Sequence, residues 1–250
     1  MKRAALVLAI AALSCSDRVE RTGAVSSAII NGTDSPSEQD AVVLIMHYDA
    51  VQLGGGTAGC TGILLTPRLV LTARHCVSIT DGSAACDSAG KPTFGAEVKS
   101  DHVASKLYAF SGTTRPDFIS GLDRAARAQE ILTTGAKTLC DNDIALLLLE
   151  RPMRDAKIAP VRLEGGPRKD ETVTVVGWGV TEKSPNPDVR QQRSGVKVEE
   201  VGPADRLGPA EFKLGESGCS GDSGGPAFAE SGAVLGVLSR GGNGSGAKPG

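Results

Sequence analysis

The nine residues from Gly218 to Pro226, Gly-Cys-Ser-Gly-Asp-Ser-Gly-Gly-Pro, constrain this chain more than any other stretch. Neither the period of a helix nor that of a strand produces such a run. Glycines let the backbone turn sharply and approach a ligand without a Cβ in the way. A turn of that kind can aim successive amide N–H groups at one point, which suits a negative oxygen forming on a substrate carbonyl. Ser223 is therefore a candidate nucleophile, and the amides of Gly221 and Ser223 are candidate donors to that oxygen. The alternative is a Gly/Ser turn whose serine has no chemical role.

A serine hydroxyl needs a base to take its proton and a third group to orient that base. The chain has three histidines. His75 stands in Leu71-Thr72-Ala73-Arg74-His75-Cys76, just after an apolar, strand-like run. His47 ends the apolar stretch Ala41 to Tyr48 and is read as a packed or surface residue. An acid stands in Asp141-Asn142-Asp143, and Asp143 opens the apolar run Ile144 to Leu149. A carboxylate at the mouth of so apolar a segment needs a partner. A turn cap is the alternative, and Asp141 would serve there equally well.

In their order, and with the three motifs around them, His75, Asp143 and Ser223 resemble the chymotrypsin-like serine peptidases, the trypsin family. The resemblance runs from about Ile29 to Gly241. It implies that Ser223 attacks a peptide carbonyl, that His75 takes the proton and returns it to the leaving amine, and that Asp143 orients His75. It also places an oxyanion hole at the amides of Gly221 and Ser223. Ile29-Ile30-Asn31-Gly32 is similar to the family's activation site. Cleavage after Ala28 would free an α-amino group on Ile29 to pair with Asp222. Ala28 is not the Lys or Arg that a trypsin-like activator selects, and Ile29-Ile30 starting a strand is the alternative.

The same resemblance assigns the substrate-binding positions. Ser217, six residues before the nucleophile, falls at the base of the main specificity pocket. It carries no charge, which favours small or apolar side chains over Arg or Lys. Ser239-Arg240-Gly241 stands where the family usually has Ser-Trp-Gly, an edge that pairs with the substrate backbone. Arg240 changes the shape expected there. Arg74 replaces the small residue usually found before the histidine and is expected to point away from the imidazole. Gly177-Trp178-Gly179 holds the only Trp and is implied to support the oxyanion loop; a plain buried aromatic is the other reading. Cys60 and Cys76 match the family's bridge across the histidine. Cys86 and Cys140 remain in that half and are expected to pair, although connectivity does not follow from sequence. Cys219 is the expected orphan. No metal and no cofactor is implied.

The implied fold is all-β: two six-stranded antiparallel Greek-key barrels with the active site in the cleft between them. Residues 29–150 form the first barrel, 151–169 a linker and 170–250 the second barrel, together one peptidase domain over 29–250. Local patterns place strands at 41–48, 59–65, 69–72, 144–149, 172–176, 196–199 and 233–238. Residues 78–140 are the least readable; a strand at 128–132 is favoured over a helix through Leu122–Leu132. Residues 183–195 are polar and Pro-rich and are expected to be an exposed loop. The family's last strand and C-terminal helix have no counterpart before Gly250. The second barrel is therefore expected to be incomplete, with exposed edges.

A length of 250 residues accommodates this architecture, and 32 glycines suit many tight turns. The net charge of −2 gives no reason to expect nucleic acid or an acidic membrane surface as partner. Lys2 and Arg3 before the apolar run Ala4 to Leu13 read as a secretory signal within residues 1–15, too short to span a bilayer permanently. Residues 16–28 read as a pro-segment. Six cysteines in an exported chain point to an oxidising compartment. Ala12-Leu13-Ser14-Cys15 loosely resembles a bacterial lipobox, so simple secretion and a lipid anchor on Cys15 in the envelope both stay open. The expected partners are a protein or peptide substrate and an activating protease. The rival readings are an inactive homologue that serves as a binding module, and a fragment.

Overall fold

The structure is a computed structural model that describes Ile29, Gly32 and residues 33–48, 59–118, 120–122, 125–181, 184 and 186–241. The expected signal, Cys15, the pro-segment and the residues after Gly241 lie outside these. Sixteen strands are described: β1 (Thr33–Asp34), β2 (Val42–His47), β3 (Gly59–Thr66), β4 (Leu69–Thr72), β5 (Ser78–Thr80), β6 (Ala84–Cys86), β7 (Pro92–Gly95), β8 (Val98–Asp101), β9 (Leu107–Phe110), β10 (Ala126–Thr133), β11 (Ala145–Leu149), β12 (Thr172–Gly177), β13 (Gln191–Val201), β14 (Phe212–Leu214), β15 (Pro226–Ala229) and β16 (Val234–Val237). Among the described residues helix appears only as short 3-10 turns, one of which, Arg74–Cys76, carries His75. No helix among the described residues is long and apolar enough to cross a membrane.

In the order β10-β11-β4-β3-β2-β9, six strands close into an antiparallel barrel. The barrel explains why β2 reads as a continuous apolar run. Val43 and Ile45 fill its interior with Leu64, Val70, Leu107 and Leu147. Val42, on the opposite face, packs against Val176, Phe228 and Val234 of the second half, while Leu44 and Met46 pack with Phe110 and Trp178. Both faces of β2 are thus buried, and alternation vanishes.

In the second half, β1, β13, β12, β15 and β16 make one antiparallel sheet, with β14 beside β13. Among the described residues this sheet does not close. The strand favoured at 128–132 is the interior of β10, and β10 lines the barrel with Ala126 and Ala128. The loop expected over 183–195 is corrected: β13 already begins at Gln191. Its first residues are polar and half-buried because they lie along β12 and β1 rather than over a core. Residues 78–101 hold two further hairpin-like pairs, β5 with β8 and β6 with β7.

Arg190 lies at the junction of the halves with no exposed surface. It donates to Ser35 Oγ, to the carbonyls of Pro36, Val42 and Gly112, and to Asp40 Oδ1, at 2.8–3.2 Å. One planar cation therefore satisfies five acceptors, four on the chain segment that leads into the first barrel and one, Gly112, just after β9. Arg190→Met should leave those acceptors and the Asp40 charge uncompensated, at a cost of about 3–5 kcal/mol. Urea unfolding checks this, and an unchanged midpoint would mean that the guanidinium is not what joins the halves.

Candidate active site

The barrel delivers a base and an acid. β4 ends at Thr72, and the 3-10 turn after it presents His75. Asp143 precedes β11, which pairs with β4. Strand pairing therefore brings residues 68 positions apart into contact. His75 Nδ1 lies 2.8 Å from Asp143 Oδ2, and the His75 amide donates to Oδ1 at 2.9 Å. A carboxylate only accepts hydrogen bonds, so Nδ1 carries the proton and Nε2 keeps a free lone pair. Ser239 Oγ also donates to Asp143 Oδ2. Burial alone would push Asp143 up. The hydrogen bond and charge of His75, with Ser239 and the His75 amide, instead hold it below the usual carboxylate range.

The second half delivers the serine. Thr61 of β3 binds the turn twice: its amide donates to the Ser223 carbonyl at 2.8 Å and its hydroxyl to the Gly221 carbonyl at 2.9 Å. Gly224 has φ +78°, and a Cβ there would sit 2.1 Å from Thr72 Oγ1 and 2.4 Å from the Thr61 carbonyl. Only glycine lets the turn approach the barrel that closely. The Ser223 carbonyl lies 3.5 Å from Cys76 Sγ, so the serine segment abuts the residue after His75. The Ser223 hydroxyl itself makes no hydrogen bond among the described residues, to His75 Nε2 or otherwise. In unliganded sites such bonds are often long or misaligned and tighten with substrate. The amides of Gly221 and Ser223 also make none among the described residues, while those of Asp222, Gly224 and Gly225 are all used.

Asp222 is buried, with 1% of its surface exposed. It accepts the amides of Gly179 at 2.8 Å and Cys219 at 2.9 Å. A Cβ on Gly179 would fall 2.5 Å from its Cγ, which accounts for one glycine of Gly177-Trp178-Gly179. Burial raises the carboxyl to about 7, against the partial opposition of the two amides. Ile29 is buried close by in the chain of contacts: its N–H donates to the Val180 carbonyl, and the Val180 amide donates to Ser220.

The remaining sequence-predicted positions fall as follows. Ser217 is buried. Ser239 turns to Asp143, and Arg240 reaches away to Glu211 at 2.6 and 2.5 Å. Gly241 is the last described residue of that edge. Cys60–Cys76 and Cys86–Cys140 are disulfides, and Cys219 is free. Cys60 and Cys76 lie beside His75, but their sulfurs are joined and offer no thiolate to a metal. Arg74 is buried and bonds Ser78 and Asp101, apart from the Asp143 contact of His75. His47 stacks on His102 with ring centroids 4.1 Å apart. Thr61, Thr72 and Glu211 went unnoticed in the sequence. Thr61 and Thr72 are β-formers within strands, and Glu211 lies just before β14, so none of the three stands out locally.

The profile of the family described as Trypsin matches residues 29–250. This chain belongs to the trypsin family. It is 28% identical over 196 residues to phenoloxidase-activating factor 3 of Holotrichia diomphalia, covering 72% of this chain and 54% of that protein. It is 30% identical to chymotrypsin of Phaedon cochleariae over 67% of this chain and 58% of that one, so it spans little more than half of these two relatives. With a protein C activator of Agkistrodon contortrix contortrix the identity is 31%, over 74% of each. A solved structure with the same fold is the scabies mite inactivated protease paralogue S-D1, at a TM-score of 0.61 and 21% identity over 84% of this chain and 85% of that one. Membership makes the chain a member of a family of hydrolases that act on peptide bonds.

The Asp222 environment has a measurable consequence. The folded chain holds that proton up to about pH 7, whereas an unfolded carboxyl releases it near 3.8. Between those values the folded state binds more protons, so the contribution of Asp222 to stability is fully present below about pH 4 and is lost as pH rises to 7, a change of about 4 kcal/mol. Urea unfolding of the uncleaved protein at several pH values, set against Asp222→Asn, isolates this contribution. Parallel pH profiles for the two proteins would show that the carboxyl is not held neutral.

Proposed function

We propose that this chain is an exported serine endopeptidase that cleaves peptide bonds through an acyl-enzyme on Ser223. One observation carries the reading: Asp143 takes both the ring Nδ1–H and the backbone amide of His75, which leaves Nε2 to act as the base, and the Ser223 carbonyl lies against Cys76, the next residue. In this mechanism Ser223 Oγ attacks the carbonyl as its proton passes to His75 Nε2. The two unused amides, Gly221 and Ser223, take the negative oxygen. His75 then protonates the leaving amine, and water repeats the sequence to release the acid. Ser217 and the backbone of the edge Ser239–Gly241 seat the substrate. Buried Ser217 offers no charge to a basic side chain, so small or apolar residues fit best. Two disulfides accord with export into an oxidising compartment.

Activation by cleavage before Ile29 completes the proposal. A new ammonium at Ile29 would meet the buried carboxylate of Asp222 and replace a costly neutral group with an ion pair. Its pKa then lies above the reference of about 8. The pair is intact below that reference and is lost as pH rises through the raised value, so activity should fade on the alkaline side. Activity that stays constant far into alkali would remove the ion pair from the mechanism.

Ser223→Ala should lower kcat by about 10⁶ in the cleaved protein, with folding intact. A fluorophosphonate probe should label Ser223 after cleavage before Ile29. A folded, cleaved protein that resists labelling would be a binding module on the same scaffold instead.

A further inference from the structure

Arg240 occupies the place where the family's substrate-binding edge usually carries Trp, yet its side chain does not lie free along that edge. Its guanidinium forks onto Glu211, Nη1 to Oε1 and Nη2 to Oε2, and Nη2 also donates to the Arg206 carbonyl at 3.1 Å. The two side chains keep only 25% and 14% of their surface. Glu211 is used further. Its Oε1 accepts the Asp141 amide at 3.2 Å and its Oε2 the Gly208 amide at 2.9 Å. Asp141 answers by accepting the Ala210 amide on Oδ1 at 3.0 Å, from a left-handed backbone with φ +58°.

These contacts form a closed circuit around Asp143. On one side, Asp141 is tied to Glu211 two residues before the carboxylate. On the other, Ser239 donates to Asp143 Oδ2 and continues directly into Arg240. The Glu211–Arg240 fork joins the two arms. The circuit also spans both halves of the molecule, because Asp141 leads into β11 of the barrel and Glu211 into β14 of the second sheet. A bidentate, mostly buried fork is rigid as well as strong.

We propose that Arg240 and Glu211 are a positioning pair for Asp143, holding its loop from both chain directions while their own charges cancel. The inference rests on the peptidase reading for its kinetic consequences but not for its geometry. Several charged groups share this space: Asp141 and Asp143 from the β11 approach, Glu211 before β14, and Arg240 after β16. Arg240 is held above its ordinary range by Glu211 first, and its charge is also felt by Asp143 and Asp141. Burial pushes Glu211 up, but Arg240 and the amides of Gly208 and Asp141 keep it below the usual range.

The test uses the signs of two opposite charges. In the Ser223→Ala background, where no turnover is needed, NMR follows the titration of His75. Glu211→Gln leaves Arg240 uncompensated and should move the midpoint down by about half a pH unit relative to the parent. Arg240→Gln leaves Glu211 uncompensated and should move it up by a similar amount. The double variant should return near the parent, and Arg240→Lys, which keeps the charge, should stay near it. With Ser223 restored, the acid limb of kcat/KM should follow the same signs, and kcat should fall about tenfold in each single variant with KM little changed.

Midpoints that stay put, or move the same way in both single variants, would overturn the proposal. So would a loss confined to KM, which would make the pair part of the substrate seat. If Glu211→Gln does not unfold cooperatively, Arg240→Gln against Arg240→Lys decides the sign alone. Failure of the peptidase reading is seen separately, as a parent protein that the fluorophosphonate probe does not label, and the NMR arm still decides the positioning role.

Discussion

A buried carboxylate with no cation beside it, among the described residues, governs the local architecture of the serine turn. Asp222 accepts only two amides, from Gly179 and Cys219. Burying such a group without full compensation costs several kcal/mol, and here the chain responds by favouring the neutral form. Room for the carboxyl exists because residues 177 and 179 have no side chains to obstruct it. The backbone that shelters it is the same backbone that leaves the amides of Gly221 and Ser223 unused. In the proposed mechanism this is a strained resting state, relieved when a positive charge is created nearby.

The site is a seam rather than a cavity within one half. His75 and Asp143 belong to the barrel, and Ser223 belongs to the sheet. Their relation therefore depends on how firmly the two halves are registered. Thr61 supplies that register at short range by holding both Gly221 and Ser223. Arg190 supplies it further out, and the apolar packing of Val42, Ile63 and Leu71 against Val176 and Phe228 supplies the area. Because β2 must be apolar on both faces to do this, its side chains are committed to the barrel interior and to the seam together.

Much of this was legible in the chain, and the residues explain where legibility stopped. Apolar runs at β2, β3, β4 and β11 announced strands because burial on one or both faces leaves a continuous record, while their closure into a barrel was implied by the family resemblance. The motifs around His75, Asp143 and Ser223 announced a candidate site, of which the structure joins His75 to Asp143. The start of β13 was hidden, since Gln191 to Ser194 are polar residues flanked by β12 and the short β1 and alternate with nothing apolar. Thr61 was hidden for the opposite reason: one hydroxyl in an apolar strand looks like an ordinary β-former. Arg240 was seen as a departure from the family, but its partner Glu211 lies 29 residues away and no local pattern links them.

Asp143 and Asp222 show how one fold drives two buried carboxyls in opposite directions. Both are buried, so desolvation acts on both in the same direction. Asp143 overcomes it because an imidazole, a hydroxyl and an amide all donate to it. Asp222 does not, because two amides are not enough. A carboxylate kept ionised beside a histidine is suited to orient the ring and to stabilise its charged form. One kept close to neutrality is suited to respond when a charge arrives. Environments that drive two similar groups apart are a general way to separate roles within one site. Here the separation follows from the donors: where His75 and Ser239 supply side-chain donors the acid stays charged, and where only the backbone amides of Gly179 and Cys219 reach the carboxyl it does not.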